Sequence, residues 1–355
     1  MNPEQTIGRF RIQGNPVSSE AFGHGHINST YKVTTDAGCA YILQHINKYV
    51  FKNPPQLMDN ASRVTNFIRK PGQLALHFIE AQDGTYCLQD AEGEYWRCYE
   101  FVEGFSMDTP ETDEDFYQSA LAFGQFQNQL SGFSAETLYE TIPKFHNPPD
   151  RYRQLRETIA ADPMGRLASA QPEVEFYLAN EELGSRLQQM LQDGKLPLRV
   201  THNDTKLNNV LLDNESHKPL CVLDLDTVMP GLSAYDFGDS IRFGAATAAE
   251  DEKDASKMKL DMDLFRIYAK GFLEAAPALT DAEVEVLPLG AFTMTLECGS
   301  RFLKDYLDGD KYFRIAYPEH NLVRCRTQMA MCADMLKHWD EMHAVITAVA
   351  AEIRG

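Results

Sequence analysis

At 355 residues, with 43% hydrophobic and 24% charged side chains, the chain can bury one large or two moderate cores. A formal net charge of −19 argues against nucleic acid or an anionic membrane as partner, since both need a positive footprint. The opening MNPEQTIGRFRIQGNP is polar rather than signal-like, and no run of about eighteen apolar residues marks a membrane span. The seven cysteines are scattered without a C-x-x-C pair, which points to reduced thiols in a cytoplasmic protein and away from zinc.

Residues 4–14 read as a short helix or an arm. From Val17 the pattern is strand, glycine-containing turn and strand. Gly23, His24, Gly25 and His26 form the turn, and Tyr31 and Val33 alternate with Lys32 and Thr34. Glycines let a backbone approach phosphates closely, so a nucleotide loop is open here, as is a plain hairpin. A third strand, Tyr41-Ile42-Leu43, ends in Gln44. Asn53-Pro54-Pro55 starts a helix with Leu57, Ala61, Val64, Phe67 and Ile68 at helical spacing. Strand-like segments follow at 75–79, 86–88 and 95–102. After Gly104 the character turns helical, which sets a boundary near 103. Phe116, Ala120, Phe123, Gln127 and Leu130 make a core stripe, and residues 148–161 and 171–193 also read as helical.

Residues 198–230 carry the chemistry. Three apolar strand-like runs (198–200, 210–212 and 220–223) frame His202-Asn203-Asp204, with Asn209 five positions after the aspartate. The last run delivers Asp224 and Asp226. Singly, these residues are turn-formers or caps. Together they match a phosphoryl-transfer site, and the protein-kinase catalytic loop has the same offset between base and metal-binding asparagine. Such transfer depends on positioning and charge neutralisation. Asp204 would accept the proton of the attacking hydroxyl, while Asn209 and Asp224 would offer oxygens to Mg2+, a hard cation. Asp226 is a further candidate for the metal or a bound water.

A literal D-F-G at Asp236-Phe237-Gly238 follows a turn and lies 27 residues after Asn209, so Asp224, at a strand end, is the better metal ligand. Residues 250–259 read as a solvated connection or a helix start, and Leu264, Ile267, Tyr268, Gly271 and Phe272 as a core stripe. Thr280 with Glu283 is a capping-box signature, taken to open a helix carrying Glu297, Arg301 and Lys304. Long helices are expected over 318–353, and no internal repeat is visible.

THNDTKLNN, together with VLDLDTVMPG, YDFGDSIRFG, ECGSRFLKDYL and YPEHNLVRCRTQ, resembles the N-acetylhexosamine 1-kinases. These belong to the aminoglycoside phosphotransferase and choline kinase superfamily, relatives of protein kinases. GHGHINSTY and YILQ are similar too, so the resemblance spans nearly the whole chain. It implies an α+β, two-lobed protein-kinase-like fold, with a β-rich nucleotide lobe over 1–102 and a mainly helical catalytic lobe over 103–355. By this resemblance Gly23, Gly25 and Gln44 face the nucleotide. Glu100 to Val102 would offer backbone groups to adenine, and Asp236 would brace the catalytic loop. His26, Phe243 and Arg301 would reach the sugar; by the residues alone, His26 reads equally as loop packing and Arg301 as a structural ion pair. The chain departs from the protein-kinase pattern at Asn28, where a third glycine is missing, and at Gln44, which replaces a lysine. Its first long helix also lacks the glutamate that would pair with that lysine.

The reading is an ATP-dependent kinase, with Mg2+, of the anomeric hydroxyl of N-acetylhexosamines (GlcNAc or GalNAc), and a monomer or weak homodimer. A kinase of another small hydroxyl compound is the alternative within the class. A nucleotide-binding regulator without catalysis is the alternative outside it, supported only by Gln44.

Overall fold

Alternating side chains build the N-terminal region into an antiparallel sheet with unlike faces. In the computed structural model, which describes residues 3–23, 28–70 and 75–355, a short helix α1 (Pro3–Ile7) precedes strands β1 (Pro16–Ala21), β2 (Ser29–Thr35) and β3 (Ala40–Ile46). Helix α2 (Pro54–Ile68) and strands β4 (Leu88–Gln89) and β5 (Tyr95–Glu100) follow, and the sheet order is β1-β2-β3-β5-β4. Val33, Tyr41, Leu43, Trp96 and Cys98 face one way and pack with Ile7 and Phe10. The period of two sends Gln44 and Arg97 to the other face, directly opposite each other in register. The segment expected as a strand over 75–79 is reduced to one bridge, Phe78 to Tyr99.

Helix α2 starts as the sequence suggests: Asn53 accepts from the Gln56 N–H (3.3 Å), and two prolines occupy the first turn, where a missing N–H costs nothing. Leu57, Ala61, Val64 and Ile68 form its buried stripe. The unit built on this sheet comprises Met1–Ser106, Gly132–Pro143 and Val210–Pro230. Its last segment is the hairpin β6 (Val210–Leu212) and β7 (Pro219–Val222) with the loop that follows. Leu212 exchanges two backbone hydrogen bonds with Phe105, at 2.8 and 3.0 Å. Asn60 of α2 donates to the carbonyls of Tyr139 (2.8 Å) and Val228 (3.0 Å), which ties both later segments to the helix.

The second unit (Met107–Ser131, Lys144–Asn209 and Gly231–Gly355) is mainly helical. Its helices are α3 (Asp113–Gln129), α4 (Pro148–Ala161), α5 (Gln171–Ala179), α6 (Glu181–Gln192), α7 (Ser233–Gly244), α8 (Met262–Ala275), α9 (Asp281–Glu285), α10 (Leu287–Asp308), α11 (His320–Lys337) and α12 (Trp339–Arg354). The stretch 171–193, expected as helical, is two helices that meet at Asn180.

The capping box at Thr280 is present, but the helix it opens ends at Glu285. Pro288 lies in the first turn of α10, so it cannot donate back to Val284 and continue α9. Glu297, Arg301 and Lys304 therefore ride on α10, a separate element from the one the capping signature begins. Nearly all of α10 is buried, and its Gly290 meets α7 backbone to backbone. A β-carbon on Gly238 would collide with the Gly290 carbonyl, and one on Gly290 with the Ala234 carbonyl. Among the described residues no helix is long and apolar enough to cross a membrane.

Candidate active site

In the second unit a short strand, Arg199–Thr201, leads into the loop that carries Asp204. His202 is buried edge-on to Phe123 (5.5 Å) and Phe126 (5.9 Å). Asn203 adopts a left-handed backbone (φ 65°), which turns the chain sharply ahead of Asp204. Helix α7 braces this loop. Asp236, fully buried in the first turn of α7, accepts from the N–H groups of His202 (2.9 Å) and Asn203 (2.8 Å) and from Gln127 Nε2 (2.5 Å). Asp239, one turn on, accepts from the Thr205 N–H (3.1 Å). Burial pushes the Asp236 carboxyl up from its ordinary value, while His202 and the backbone donors pull the other way. D-F-G here is a loop brace, and its glycine is a helix contact.

Asn209 closes the loop: its Nδ2 donates to the Asp204 carbonyl (2.8 Å), which leaves Oδ1 as the amide oxygen a hard cation would use. Lys206, which the sequence reading did not single out, places Nζ 3.0 Å from Asp204 Oδ1. Burial lowers its ammonium, but Asp204 and Asp239 more than offset this and the net shift is up. A cation at this position can meet incoming negative charge.

In the first unit, Gly23 turns at φ 74°, and among the described residues nothing stands where a β-carbon would be. Gly25 and His26 fall outside the described residues. Gln44 is held from both ends: Arg97 Nε donates to its Oε1 (2.8 Å), and its Nε2 donates to Thr30 (2.9 Å). The Arg97 guanidinium also pairs with Asp226, and Asn28 donates to the other Asp226 oxygen (2.7 Å). Only 3% and 4% of the two paired side chains is exposed, so both Asp226 oxygens are engaged away from solvent. Asp224 is exposed and takes a left-handed φ of 51° just past β7. Of the segment expected to meet adenine, the Glu100 N–H donates to the His77 carbonyl and the Phe101 N–H to the Ala40 carbonyl.

Taken singly, the neutral amide oxygen of Asn209 and the solvent-facing carboxylate of Asp224 are each hard oxygen donors of the kind magnesium takes. Among the described residues no three His, Cys, Asp or Glu side chains converge as a metal cage.

One face of α10 completes the second unit's polar cluster. Glu297, Arg301 and Asp305 succeed one another at intervals of four residues, the spacing of neighbours along a helix. Glu297 pairs with His146 (3.0 Å), whose other nitrogen meets the Asn203 carbonyl (3.1 Å). The Arg301 guanidinium stands 5.9, 5.7 and 5.4 Å from the rings of Phe145, Tyr312 and Phe313. Asp305 accepts from the N–H groups of Lys311, Tyr312 and Phe313 (2.8–3.0 Å), fixing the loop that supplies two of those rings. Phe145 also packs on His146 (4.5 Å), so Arg301 reaches the catalytic loop through two side chains. Phe243, half-buried, shares the face of α7 that carries Asp236 and Asp239.

A model of a family described as phosphotransferase enzymes matches residues 18–265. The chain belongs to that family. Its fold is the two-lobed, protein-kinase-like α+β fold. An aminoglycoside phosphotransferase from Alicyclobacillus acidocaldarius superposes with a TM-score of 0.64 at 13% identity, covering 100% of this chain and 97% of that one. A microcompartment-associated aminopropanol kinase gives 0.63 at 16% identity, with 96% and 97% covered. An amicoumacin kinase in complex with AMP-PNP and Ca2+ gives 0.60 at 13%, with 93% of each chain covered. At these identities the likeness speaks for the fold.

Within this phosphotransferase the structure places Asp204 and Asn209 on one loop and links Arg301 to that loop. It places Gln44 and Asp226 on one buried cation, Arg97. Neither Arg97 nor His146 was found from the sequence. An arginine amid the strand YWRCYE, on the face that alternation turns away from the apolar core, was the available signal for the first. For His146, a lone histidine ahead of Asn147-Pro148, there was none.

Proposed function

We propose that the chain transfers the γ-phosphate of ATP to the anomeric hydroxyl of an N-acetylhexosamine, GlcNAc or GalNAc, giving the sugar 1-phosphate and ADP. Asp204 orients that hydroxyl and takes its proton. The anomeric hydroxyl is the most acidic on a sugar because the ring oxygen withdraws charge, which lessens the basicity demanded of its acceptor; geometry then matters first. Magnesium, held through Asn209 and Asp224, would neutralise phosphate charge. Lys206 adds a fixed cation at the base, and Asp236 holds the loop in place.

The observation that carries the choice of acceptor is Arg301, enclosed by three aromatic rings and linked to the catalytic loop. A guanidinium fork suits paired hydroxyl and carbonyl oxygens, such as a sugar bearing an acetamido group presents. The aminopropanol kinase among the structural relatives favours a second reading, an amino-alcohol acceptor. Against it, the aromatic cluster that could cradle an ammonium already holds the protein's own cation.

The test is ADP release by the purified protein with magnesium and ATP across free hexoses, N-acetylhexosamines, ethanolamine, aminopropanol and choline. Phosphorus NMR would then locate the product's phosphate. Turnover of an N-acetylhexosamine with phosphate on O1 is expected. Turnover confined to amino alcohols would replace the reading, and none with any acceptor would favour a non-catalytic nucleotide binder.

A further inference from the structure

Resting on that reading, we infer that His146 is a positioning residue, an imidazolium that fastens the peptide preceding the base Asp204 to Glu297 on the helix bearing Arg301. His146 lies just ahead of α4, buried, with Nδ1 3.0 Å from Glu297 Oε1 and Nε2 3.1 Å from the Asn203 carbonyl oxygen. Neutral imidazole has one N–H and one lone pair, whereas a carboxylate and a carbonyl can only accept. Only the imidazolium can donate to both.

The bond to Asn203 falls where it matters. Asn203 has a left-handed backbone, and its carbonyl belongs to the peptide that joins it to Asp204. Asp236 holds the N–H side of Asn203, and His146 holds the carbonyl side. Rotation of that peptide would swing the Asp204 carboxylate, and an error of about 1 Å in a reacting group can cost 10²-fold in rate.

The groups that face the ring from every packed element favour its charge. Glu297 comes from α10, with 1% of its side chain exposed; its Oε2 takes no hydrogen bond from the described residues. Arg151 of α4 stands 4.0 Å from Glu297. From α7 come Tyr235, whose ring lies 5.7 Å away and whose hydroxyl is held neutral by burial, and the carboxylate of Asp239. Gln188 of α6 donates both to the Tyr235 hydroxyl and to the His146 carbonyl, and Arg301 stands behind Phe145. Burial opposes the imidazolium, but Glu297 and the Asn203 carbonyl outweigh it, and the ring's pKa is raised.

The experiment uses the full chain as wild type, His146→Gln and Glu297→Gln. Histidine ring NMR, with His146 assigned by its loss in His146→Gln, should show an imidazolium at pH 6.5, where a free histidine is about half protonated. Glu297→Gln should lower its titration midpoint. In parallel, wild-type kcat should fall as pH rises through that midpoint, and the fall should move to lower pH in Glu297→Gln. His146→Gln should lose about 10-fold or more in kcat with no alkaline fall, while KM for ATP stays within about twofold. A neutral ring at pH 6.5 in an active wild type, or superimposable pH profiles for wild type and Glu297→Gln, overturns the inference alone. An intact imidazolium in a wild type that turns over no acceptor overturns the acceptor reading, and the positioning role with it.

Discussion

Asp236→Asn isolates the brace of the catalytic loop. The change preserves shape and removes one acceptor oxygen along with the charge. If the new NH2 replaces Oδ1, it faces the Asn203 N–H, and two donors meet with no acceptor between them. If it replaces Oδ2, the His202 N–H loses its partner, although Gln127 can turn to present its own oxygen. Either way one buried backbone donor is left unsatisfied, at about 1–3 kcal/mol, and the surviving bonds weaken from charged to neutral. Relief from burying a carboxylate offsets part of this, since that burial raises the Asp236 pKa. A net loss of about 2 kcal/mol in urea unfolding is expected. Because the freed donors sit on the two residues before Asp204, kcat should fall more than the stability loss implies, by about 10²-fold. Nucleotide KM should be nearly unchanged. A variant with wild-type kcat would show that the loop holds Asp204 without Asp236, and the bracing argument would fail.

Other expectations are simpler. Asp204→Asn should lower turnover by roughly 10²-fold or more with nucleotide binding kept, and near-normal turnover would remove Asp204 from the mechanism. Asp224→Ala should raise the magnesium concentration needed for half-maximal turnover; an unchanged magnesium titration would point to another ligand. Arg97→Met leaves the Asp226 carboxylate buried without its cation and should cost about 3–5 kcal/mol in urea unfolding, much of it recovered in the double variant Arg97→Met, Asp226→Leu. If the double variant is no more stable than the single one, the pair is not the unit assumed. Glu283 is held down: burial raises it, but Arg199, Thr280 and Ser233 more than offset that. Its stabilisation should be present above about pH 4.3, the unfolded carboxylate value, and be lost as pH falls through the lower folded value. Glu283→Gln should flatten the unfolding midpoint's pH dependence there, and an unaltered acid limb would refute the assignment.

The loop proposed as catalytic was legible as a candidate because its parts are local: an aspartate, an amide five residues on and an apolar strand before the next aspartate. The sheet's apolar face was legible for the same reason, since alternation within one strand marks it. What escaped depends on partners far away in sequence. Gln44 in place of a lysine looked like a missing charge until register set Arg97, on another strand, directly opposite. His146 gave no local sign, since its role comes from Glu297 and Asn203, 151 and 57 residues away. The helix carrying Arg301 was assigned the wrong start because a strong capping signal at Thr280 outweighed the proline at 288, whose missing N–H decides the matter.

Gly238 lies against the Gly290 carbonyl and Gly290 against the Ala234 carbonyl, so a β-carbon added at either glycine would run into backbone of the facing helix. One helix holds the loop ahead of Asp204 through Asp236, and the other carries Arg301. On the function proposed above, a change of acceptor preference is to be sought at side chains away from this crossing. The spacing of their axes is not an adjustable variable, because the first methyl group added at either glycine would push the two helices apart.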